Sequence, residues 1–155
     1  MKENIIVAGH FLAKYESRRK YSDICNLEKN NYHFVYITPI SEYSEIAGTY
    51  KTDTEYTTVY DTLEKLNTYI SNPKKHWLYL HNPISLLRIF RKYKPRLLII
   101  ENEPHSFLTV ELFFTFKIYC FLKGFKSKII IFSWDNIYLT NKIPKLIYKK
   151  LIDYI

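Results

Sequence analysis

The strongest constraint on the fold is a short apolar run, from Leu97 to Ile100, that stops abruptly on a polar turn. An uninterrupted run of this length after Pro95 is typical of a strand buried on both faces of a parallel sheet. An open α/β sheet places its ligand crevice outside the carboxyl ends of its strands. We therefore expect functional side chains in the turn that follows, which consists of Glu101, Asn102, Glu103, Pro104 and His105.

The rest of the chain alternates in the same way between short apolar runs and helical patterns. Strands are predicted over residues 4–8, 33–38, 77–80, 96–101 and 128–133. Helices are predicted over residues 12–28, 61–70, 83–93, 106–123 and 144–152. Residues 40–58 show no clear period and are interpreted as an irregular excursion, with a short strand at 55–60. This alternation predicts an α/β fold, a Rossmann-like open parallel sheet with helices on both faces and right-handed crossovers.

Local signals support several of these helices. Asp61 and Glu64 form a pattern like a capping box at the start of 61–70. Gly124 lies where a helix C-cap is expected. The helix at 106–123 is apolar but short for a membrane span and carries Glu111 and Lys117, which favours a helix buried between the sheet and its neighbours.

Two further burial patterns follow from residue spacing. One face of the helix at 83–93 is predicted to carry Ile84, Leu87 and Phe90. The run at 128–133, KIIIFS, reads as another strand buried on both faces.

Length and composition favour one folded domain with an anionic partner. A chain of 155 residues with 47% apolar and 17% aromatic residues can bury a core of its own. Lysine and arginine exceed the acidic residues by 23 − 15 = 8. That excess suits membrane lipid, a phosphorylated substrate or nucleic acid; the last is less favoured because no nucleic-acid motif accompanies it.

The cysteines and the first residues favour a cytoplasmic protein. Cys25 and Cys120 both lie in apolar helical segments and are expected to be reduced, buried thiols. The apolar run at the start of the chain is too short for a signal peptide and reads as a first strand.

The scarcity of glycine excludes the common nucleotide-binding motifs. The chain has three glycines, so it contains neither G-x-G-x-x-G nor a phosphate-cradling G-x-x-x-x-G-K. It also lacks a G-x-S-x-G nucleophile elbow, and no pair of histidines or cysteines has zinc-ligand spacing on one helix. A dehydrogenase or a P-loop enzyme is therefore disfavoured.

Residues 94–155 carry a resemblance to a known family. KPRLLIIENEPHSFLTVELFF is followed by KIIIFSWDNI and then by a basic helix ending in LIDYI. This series resembles the N-terminal, acceptor-binding domain of family 4-type glycosyltransferases with the GT-B fold. Many of these end their fourth strand in a Glu-x-Glu-Pro turn and the next strand in Trp-x-Asn. The likeness is specific over residues 94–155 and weaker before them.

The resemblance implies a retaining, metal-independent transfer of sugar to a glycolipid or polysaccharide-type acceptor. GT-B enzymes have two Rossmann-like domains, and the nucleotide sugar sits mainly on the second, so no cofactor is expected in this chain. The donor-binding domain is expected to be missing here, and the isolated chain to be inactive unless a partner chain supplies it. The alternative is a non-catalytic interaction module that binds a partner chain or an anionic membrane surface.

The resemblance also suggests site residues on three turns, at 9–11, 101–105 and 133–136, which should meet along one rim of the sheet. Asp135 is the candidate general base. The acceptor-binding candidates are Glu101, Glu103, Trp134, Asn136 and His10. Each has a structural alternative: a glutamate of the turn caps the helix at 106, Trp134 fills the core, and His10 is a solvated loop residue.

The basic residues suggest that the protein binds reversibly to the inner face of a membrane. They recur at 14–20, 88–96, 117–128 and 142–150, and each one near an anionic bilayer contributes about 1 kcal/mol. Aromatic residues suited to an interface are interleaved with them, namely Tyr15, Tyr21, Phe121 and Phe125. The alternative is a scattered, solvated lysine surface.

Overall fold

The computed structural model describes residues 2–9, 12, 14–27, 31–44, 48–51, 61–69, 80–102, 106–126 and 128–132. The strands are β1 (Glu3–Ala8), β2 (Tyr32–Pro39), β3 (Ser41–Ser44), β4 (Gly48–Lys51), β5 (Asp61–Leu66), β6 (Leu97–Glu101) and β7 (Lys128–Phe132). The helices are α1 (Tyr15–Leu27), α2 (Pro83–Tyr93) and α3 (Phe107–Lys123).

Five strands form one parallel sheet in the order β5-β2-β1-β6-β7. Numbered by their place in the chain, these strands run 3-2-1-4-5, which is the order of a Rossmann-like fold. The prediction of a Rossmann-like open parallel sheet is therefore confirmed. The order reverses between β1 and β6, so the topological switch point lies between those two neighbours.

Side chains of the central strands alternate between two apolar layers. Ile6 and Ala8 of β1 face α2 and α3, whereas Ile5 and Val7 face the opposite layer, which contains Leu12 and Tyr21. Such alternation is what a strand with a period of two produces when both faces are covered. The helices therefore lie on both faces, with α1 on one side and α2 and α3 on the other.

Local capping signals fix the ends of α2 and α3. The side chain of Asn82 accepts a hydrogen bond from the Ile84 N–H at the start of α2. Ser106 caps α3 in the same manner through the Thr109 N–H. Gly124 ends α3 in the left-handed conformation at φ 71°, which confirms the predicted C-cap.

The helix predicted over 61–70 is wrong, because this segment contains β5, the edge strand that pairs with β2. The spacing of Leu63 and Leu66 and the cap-like Asp61 suit a helix locally. In the fold, however, Asp61 is buried and its Oδ2 accepts a hydrogen bond from Ser22 Oγ at 2.7 Å. Six residues in register with β2 outweigh a single local cap.

Two predictions about the connecting segments are also wrong where the structure describes them. The segment called irregular contains the antiparallel pair β3 and β4, in which Ser41 faces Lys51 and Ser44 faces Gly48. Leu80 does not belong to a strand, and the adjacent His81 forms only an isolated bridge with Thr68. Residues 55–60, 77–79 and 144–152, where further elements were predicted, lie outside the described residues.

Three predictions of burial require correction. Helix α2 turns Leu86, Ile89 and Phe90 to the core; of the predicted face, Phe90 is buried and Leu87 packs against the core, but Ile84 is 61% exposed. Strand β7 is not buried on both faces: among the described strands it pairs only with β6, and Ile130 is half exposed. Helix α3 buries one side only, as its Phe121 is 85% exposed.

Candidate functional site at the carboxyl edge of the sheet

The switch point brings the ends of β1 and β6 into close contact. Ala8 is in register with Ile100, and the next pair along is Gly9 and Glu101. A Cβ atom at position 9 would overlap the carbonyl oxygen of Glu101. Only glycine permits the two backbones to approach this closely. The chain then leaves β1 towards α1 on one face and leaves β6 towards α3 on the other, which opens the crevice expected at a switch point.

Glu101 is the buried acid of this crevice. Its side chain is fully buried and points to the α1 face, like those of Leu97 and Ile99, which lie four and two residues earlier. Lys20 Nζ, from α1, lies 2.5 Å from Glu101 Oε1. A buried carboxylate costs much free energy unless it is paired and hydrogen-bonded, and the ammonium group meets that requirement.

Aromatic rings surround the ammonium group of Lys20. Its Nζ lies 4.9 Å from the ring centroid of Tyr21 and 4.9 Å from that of Phe132. Phe132 is in register with Glu101 and is 45% exposed. Burial, followed by the negative charge and hydrogen bonding of Glu101, raises the pKa of Tyr21, so this phenol remains protonated. The three elements α1, β6 and β7 thus converge at one point.

This arrangement can bind a polar, uncharged ligand that has apolar faces. The Lys20 ammonium, held in place by the buried Glu101 carboxylate, can donate hydrogen bonds to hydroxyl groups of a ligand. The exposed ring of Phe132 offers a flat surface beside both. The Lys20 side chain is 38% exposed and can be reached from solvent, whereas the Glu101 side chain is fully buried beneath it.

Two further contacts stabilise the turns beside the crevice. Arg18 is buried and donates from Nη1 to the Leu12 carbonyl at 2.6 Å, which ties the segment after β1 to α1. Asn102 Nδ2 donates to Ser106 Oγ at 2.7 Å and so ties the end of β6 to the start of α3.

A second polar cluster lies on the other face, near the first turns of α2 and α3. The His81 N–H donates to Glu111 Oε2 at 2.7 Å. Burial raises the pKa of Glu111 to about 7, although this hydrogen bond opposes the shift. Burial also lowers the pKa of His81 to about 4, against a hydrogen bond to the Asn67 backbone. Burial therefore favours the neutral form of both side chains.

Of the predicted site residues, the structure describes one. Glu101 lies at the expected strand end, and the alternative that it caps α3 is wrong, because Ser106 caps that helix and Glu101 pairs with Lys20. Residues outside the described part of the chain are Glu103, Trp134, Asn136, His10 and Asp135. Gly9 and Glu101, which begin the first two turns, and Phe132, which precedes the third, do lie at the same edge of the sheet.

Sequence reasoning missed Lys20 and Phe132. Lys20 was one of several basic residues on the charged side of α1, and only the packing of α1 on the sheet selects it. Phe132 was the last apolar residue of a run read as core. The position of β7 beside β6 brings it into register with Glu101.

Cys120 is a buried free thiol, as predicted, and burial raises its pKa to about 11; the side chain of Cys25 lies outside the described residues. No three of the described histidine, cysteine, aspartate and glutamate side chains are grouped so as to hold a metal ion. None of the described helices has the length and hydropathy that crossing a membrane requires.

Comparison with known proteins adds no relative. Neither a scan against protein-family models nor a search of curated proteins finds a match to this chain.

Proposed function

We propose that this chain is the acceptor-binding half of a retaining, metal-independent glycosyltransferase of the GT-B type. It would hold a glycolipid or polysaccharide-type acceptor, to which sugar is transferred from a nucleotide sugar. The observation that carries the proposal is the buried Glu101 at the switch point, paired with Lys20 beside the exposed ring of Phe132. The ammonium group, positioned by the buried carboxylate, and the exposed ring together match the hydroxyl groups and apolar faces of a sugar.

The donor side of the reaction is assigned to a second domain or a partner chain. Glycosyl transfer depends on holding the acceptor hydroxyl and the anomeric carbon in near-attack geometry, which is worth about 7 to 11 kcal/mol at best. The chain contains no glycine-rich phosphate motif that would bind the diphosphate of a nucleotide sugar. The 155 residues by themselves are therefore expected to bind acceptor without transferring sugar.

Acceptor binding can be tested by NMR on the ¹⁵N-labelled full chain. Titration with methyl glycosides and short oligosaccharides should shift the amide signals of Gly9, Lys20, Glu101 and Phe132. Glu101→Gln removes the carboxylate that positions the Lys20 ammonium and should weaken this binding at least tenfold. Glu64→Gln is the matched control, because that carboxylate pairs with Lys92 on the other face of the sheet.

Two results would contradict the proposal. Shifts confined to surfaces away from the carboxyl edge would place sugar binding elsewhere, and equal weakening by both variants would indicate a general loss of structure. Turnover of a radiolabelled nucleotide sugar by the chain alone would overturn the assignment of the donor side to another domain.

A second candidate is a non-catalytic interaction module, and the exposed apolar residues of α3 favour it. If the chain is such a module, no sugar in the titration should shift the amide signals of the crevice. The chain would still bind its partner through α3. The two candidates therefore give different results in the same spectra.

A further inference from the structure

A cavity of about 770 Å³ opens at the amino edge of the sheet, opposite the edge that holds Glu101. Its walls come from the start of β1, the end of α2, the start of β6 and the end of α3. Such a volume lies within the range of about 300 to 1,000 Å³ that is usual for small-molecule sites. The crevice at Glu101 shares no residue with this cavity. Between Arg96 and Glu101 the chain extends about 17 Å, at about 3.3 Å per residue.

Hydrogen bonds fix one wall of the cavity. Asn4 Nδ2 donates to the Tyr93 carbonyl at 2.5 Å and so satisfies an acceptor in the last turn of α2. Asn4 Oδ1 lies 2.9 Å from His33 Nδ1, on the neighbouring strand β2. The Tyr93 hydroxyl donates to Glu64 Oε1 at 2.5 Å. The strands β1, β2 and β5 and the end of α2 are therefore joined in one polar network, which holds the wall in place before any ligand binds.

The lining carries an excess of positive charge. It contains five basic residues and one acidic residue, namely Lys2, Lys92, Lys94, Arg96, Lys123 and Glu3. Lys92 is engaged, since its Nζ lies 2.7 Å from Glu64 Oε1. The other four, set against Glu3, leave an excess of three positive charges. Within the described part of the chain, no carboxylate forms a salt bridge with Lys94, Arg96 or Lys123. Like charges gathered in one concavity repel each other, and a bound anion offsets that repulsion.

Lys94 occupies a backbone conformation that favours glycine. It ends α2 at φ 50° and ψ 52°, in the left-handed region, and its N–H donates to the Phe90 carbonyl at 2.8 Å. Among the described non-glycine residues, no other has a positive φ. Helix α3 ends in the same conformation on Gly124, a residue type that adopts it without strain. A lysine at this position costs stability, which indicates a use for its side chain that glycine could not serve.

Helix capping alone does not account for this set of cations. The helix dipole favours a cation in the last turn, which suits Lys123 on α3 and Lys94 at the end of α2. Arg96 and Lys2 lie outside both helices, directly before β6 and β1. One cavity therefore receives basic side chains from four separate elements, and such a convergence of one sign of charge in a cleft favours anion binding.

We propose that this cavity binds a phosphorylated small molecule that carries at least two negative charges. Arg96 binds the phosphate through its planar guanidinium, whose paired N–H donors match two phosphate oxygens. Lys94 and Lys123 add ammonium donors from the ends of the two helices. The rings of Tyr119 and Phe125, with centroids 5.8 Å apart, form an apolar part of the wall. Binding here does not depend on the proposed sugar transfer.

A soluble ligand suits the cavity better than a lipid headgroup does. Helix α3 also exposes apolar side chains, among them Phe114, Ile118 and Phe121. The α3 residues that line the cavity, Tyr119 and Lys123, point about 115° to 155° away from the middle of that apolar face, at about 100° per residue. A flat bilayer therefore could not contact the apolar face and the cavity at the same time.

Isothermal titration calorimetry of the full chain with inorganic pyrophosphate tests the proposal. Pyrophosphate should bind at low salt in a ratio of about one to one, and its affinity should fall as salt rises. Arg96→Gln should weaken binding about tenfold or more, because it removes a paired, charge-assisted contact. Arg91→Gln is the matched control, since Arg91 is exposed on α2 and does not line the cavity.

Lys94→Gly separates binding from folding. The change relieves the left-handed strain and removes the ammonium group, so it should raise the urea midpoint while weakening pyrophosphate binding about two- to fivefold. Lys123→Gln should cause a similar loss of binding, whereas Lys117→Gln on the same helix should not. A lower urea midpoint with unchanged binding in Lys94→Gly would assign that lysine to the helix end and contradict the proposal.

Several other results would overturn the proposal. They are absence of pyrophosphate binding at low salt, equal weakening by Arg96→Gln and Arg91→Gln, and binding that Arg96→Gln leaves intact. Flotation with phosphatidylglycerol vesicles that Arg96→Gln abolishes and pyrophosphate does not displace would assign the cavity to a lipid headgroup. Pyrophosphate binding without any sugar binding would support this site and contradict the proposed function, and sugar binding without pyrophosphate binding would do the reverse.

Discussion

Gly9 and Glu101 approach so closely at the end of the β1–β6 pair that a side chain on Gly9 would overlap the Glu101 carbonyl oxygen. Since the obstacle is backbone, it cannot rotate away. Gly9→Ala should therefore lower the free energy of unfolding by about 1–3 kcal/mol, the range for overpacking. Urea denaturation measures this effect. Gly124→Asn is the contrasting control, because that position is open and asparagine tolerates the left-handed conformation; equal costs at both positions would contradict the argument.

The Lys20–Glu101 pair should show strong coupling in a double-mutant cycle. Lys20→Met leaves the Glu101 carboxylate buried without its cation and should destabilise the fold by about 1–3 kcal/mol. This figure lies below that for fully buried pairs because the lysine is 38% exposed. Adding Glu101→Gln should recover most of the loss. Urea unfolding at pH 7 gives the four values, and simple additivity would show that the pair does not interact.

The raised pKa of Glu111 should make stability depend on pH. The ordinary pKa of the carboxyl is 4.5 and the folded value is about 7, so between these pH values unfolding releases a proton. Stability should therefore fall as pH rises from about 4.5 to about 7 and stay lowered above it. Glu111→Gln should stabilise the protein by roughly 1–2 kcal/mol at pH 8, a value reduced for partial exposure. Near pH 4 the variant should gain nothing.

The control for that experiment is Glu16→Gln, at an exposed position of α1, which should leave the profile unchanged. His81 contributes with the opposite sign. Its pKa is about 4 in the fold against an ordinary 6.5, so stability should fall as pH drops from 6.5 to 4. The Glu111→Gln variant should retain this acid loss, and a flat profile in that variant would contradict the role of His81.

Arg18→Met should loosen the segment between β1 and α1. The change removes the bond from Nη1 to the Leu12 carbonyl and leaves that buried acceptor unsatisfied. The expected cost is about 1–3 kcal/mol. In this variant, amide hydrogen exchange in the first turn of α1 should be faster than in the unsubstituted protein, whereas exchange in α3 should be unchanged. Arg19→Met, at an exposed neighbouring position, serves as the control.

The sequence predicts the sheet better than it predicts its edges. The central strands β1, β2 and β6 carry apolar runs that few other structures can accommodate, and the caps at Ser106 and Gly124 mark α3. The prediction for β5 failed because an edge strand is only half covered. Its sequence therefore mixes polar and apolar side chains, as the sequence of a surface helix does. The contact from Ser22 to Asp61 that anchors it spans 39 residues and leaves no local pattern.

The site shows the same division between local and distant information. Glu101 was identified because strand and turn are adjacent in the sequence. Lys20 lies 81 residues away from it, so no local motif joins them. Phe132 depends on the register of β7 against β6, which the composition of either strand leaves open.

The two edge strands of the described sheet carry different kinds of exposed side chain. Among the described strands, β5 borders one side of the sheet with Glu64 and Lys65, whereas β7 borders the other with Ile130 and Phe132 on its half-exposed face. Charged residues discourage a foreign chain from adding to a sheet, and a flat apolar margin invites it. Concentrated solutions of this protein should therefore form aggregates through the KIIIF segment, and the positive charge of Lys128 should slow this aggregation.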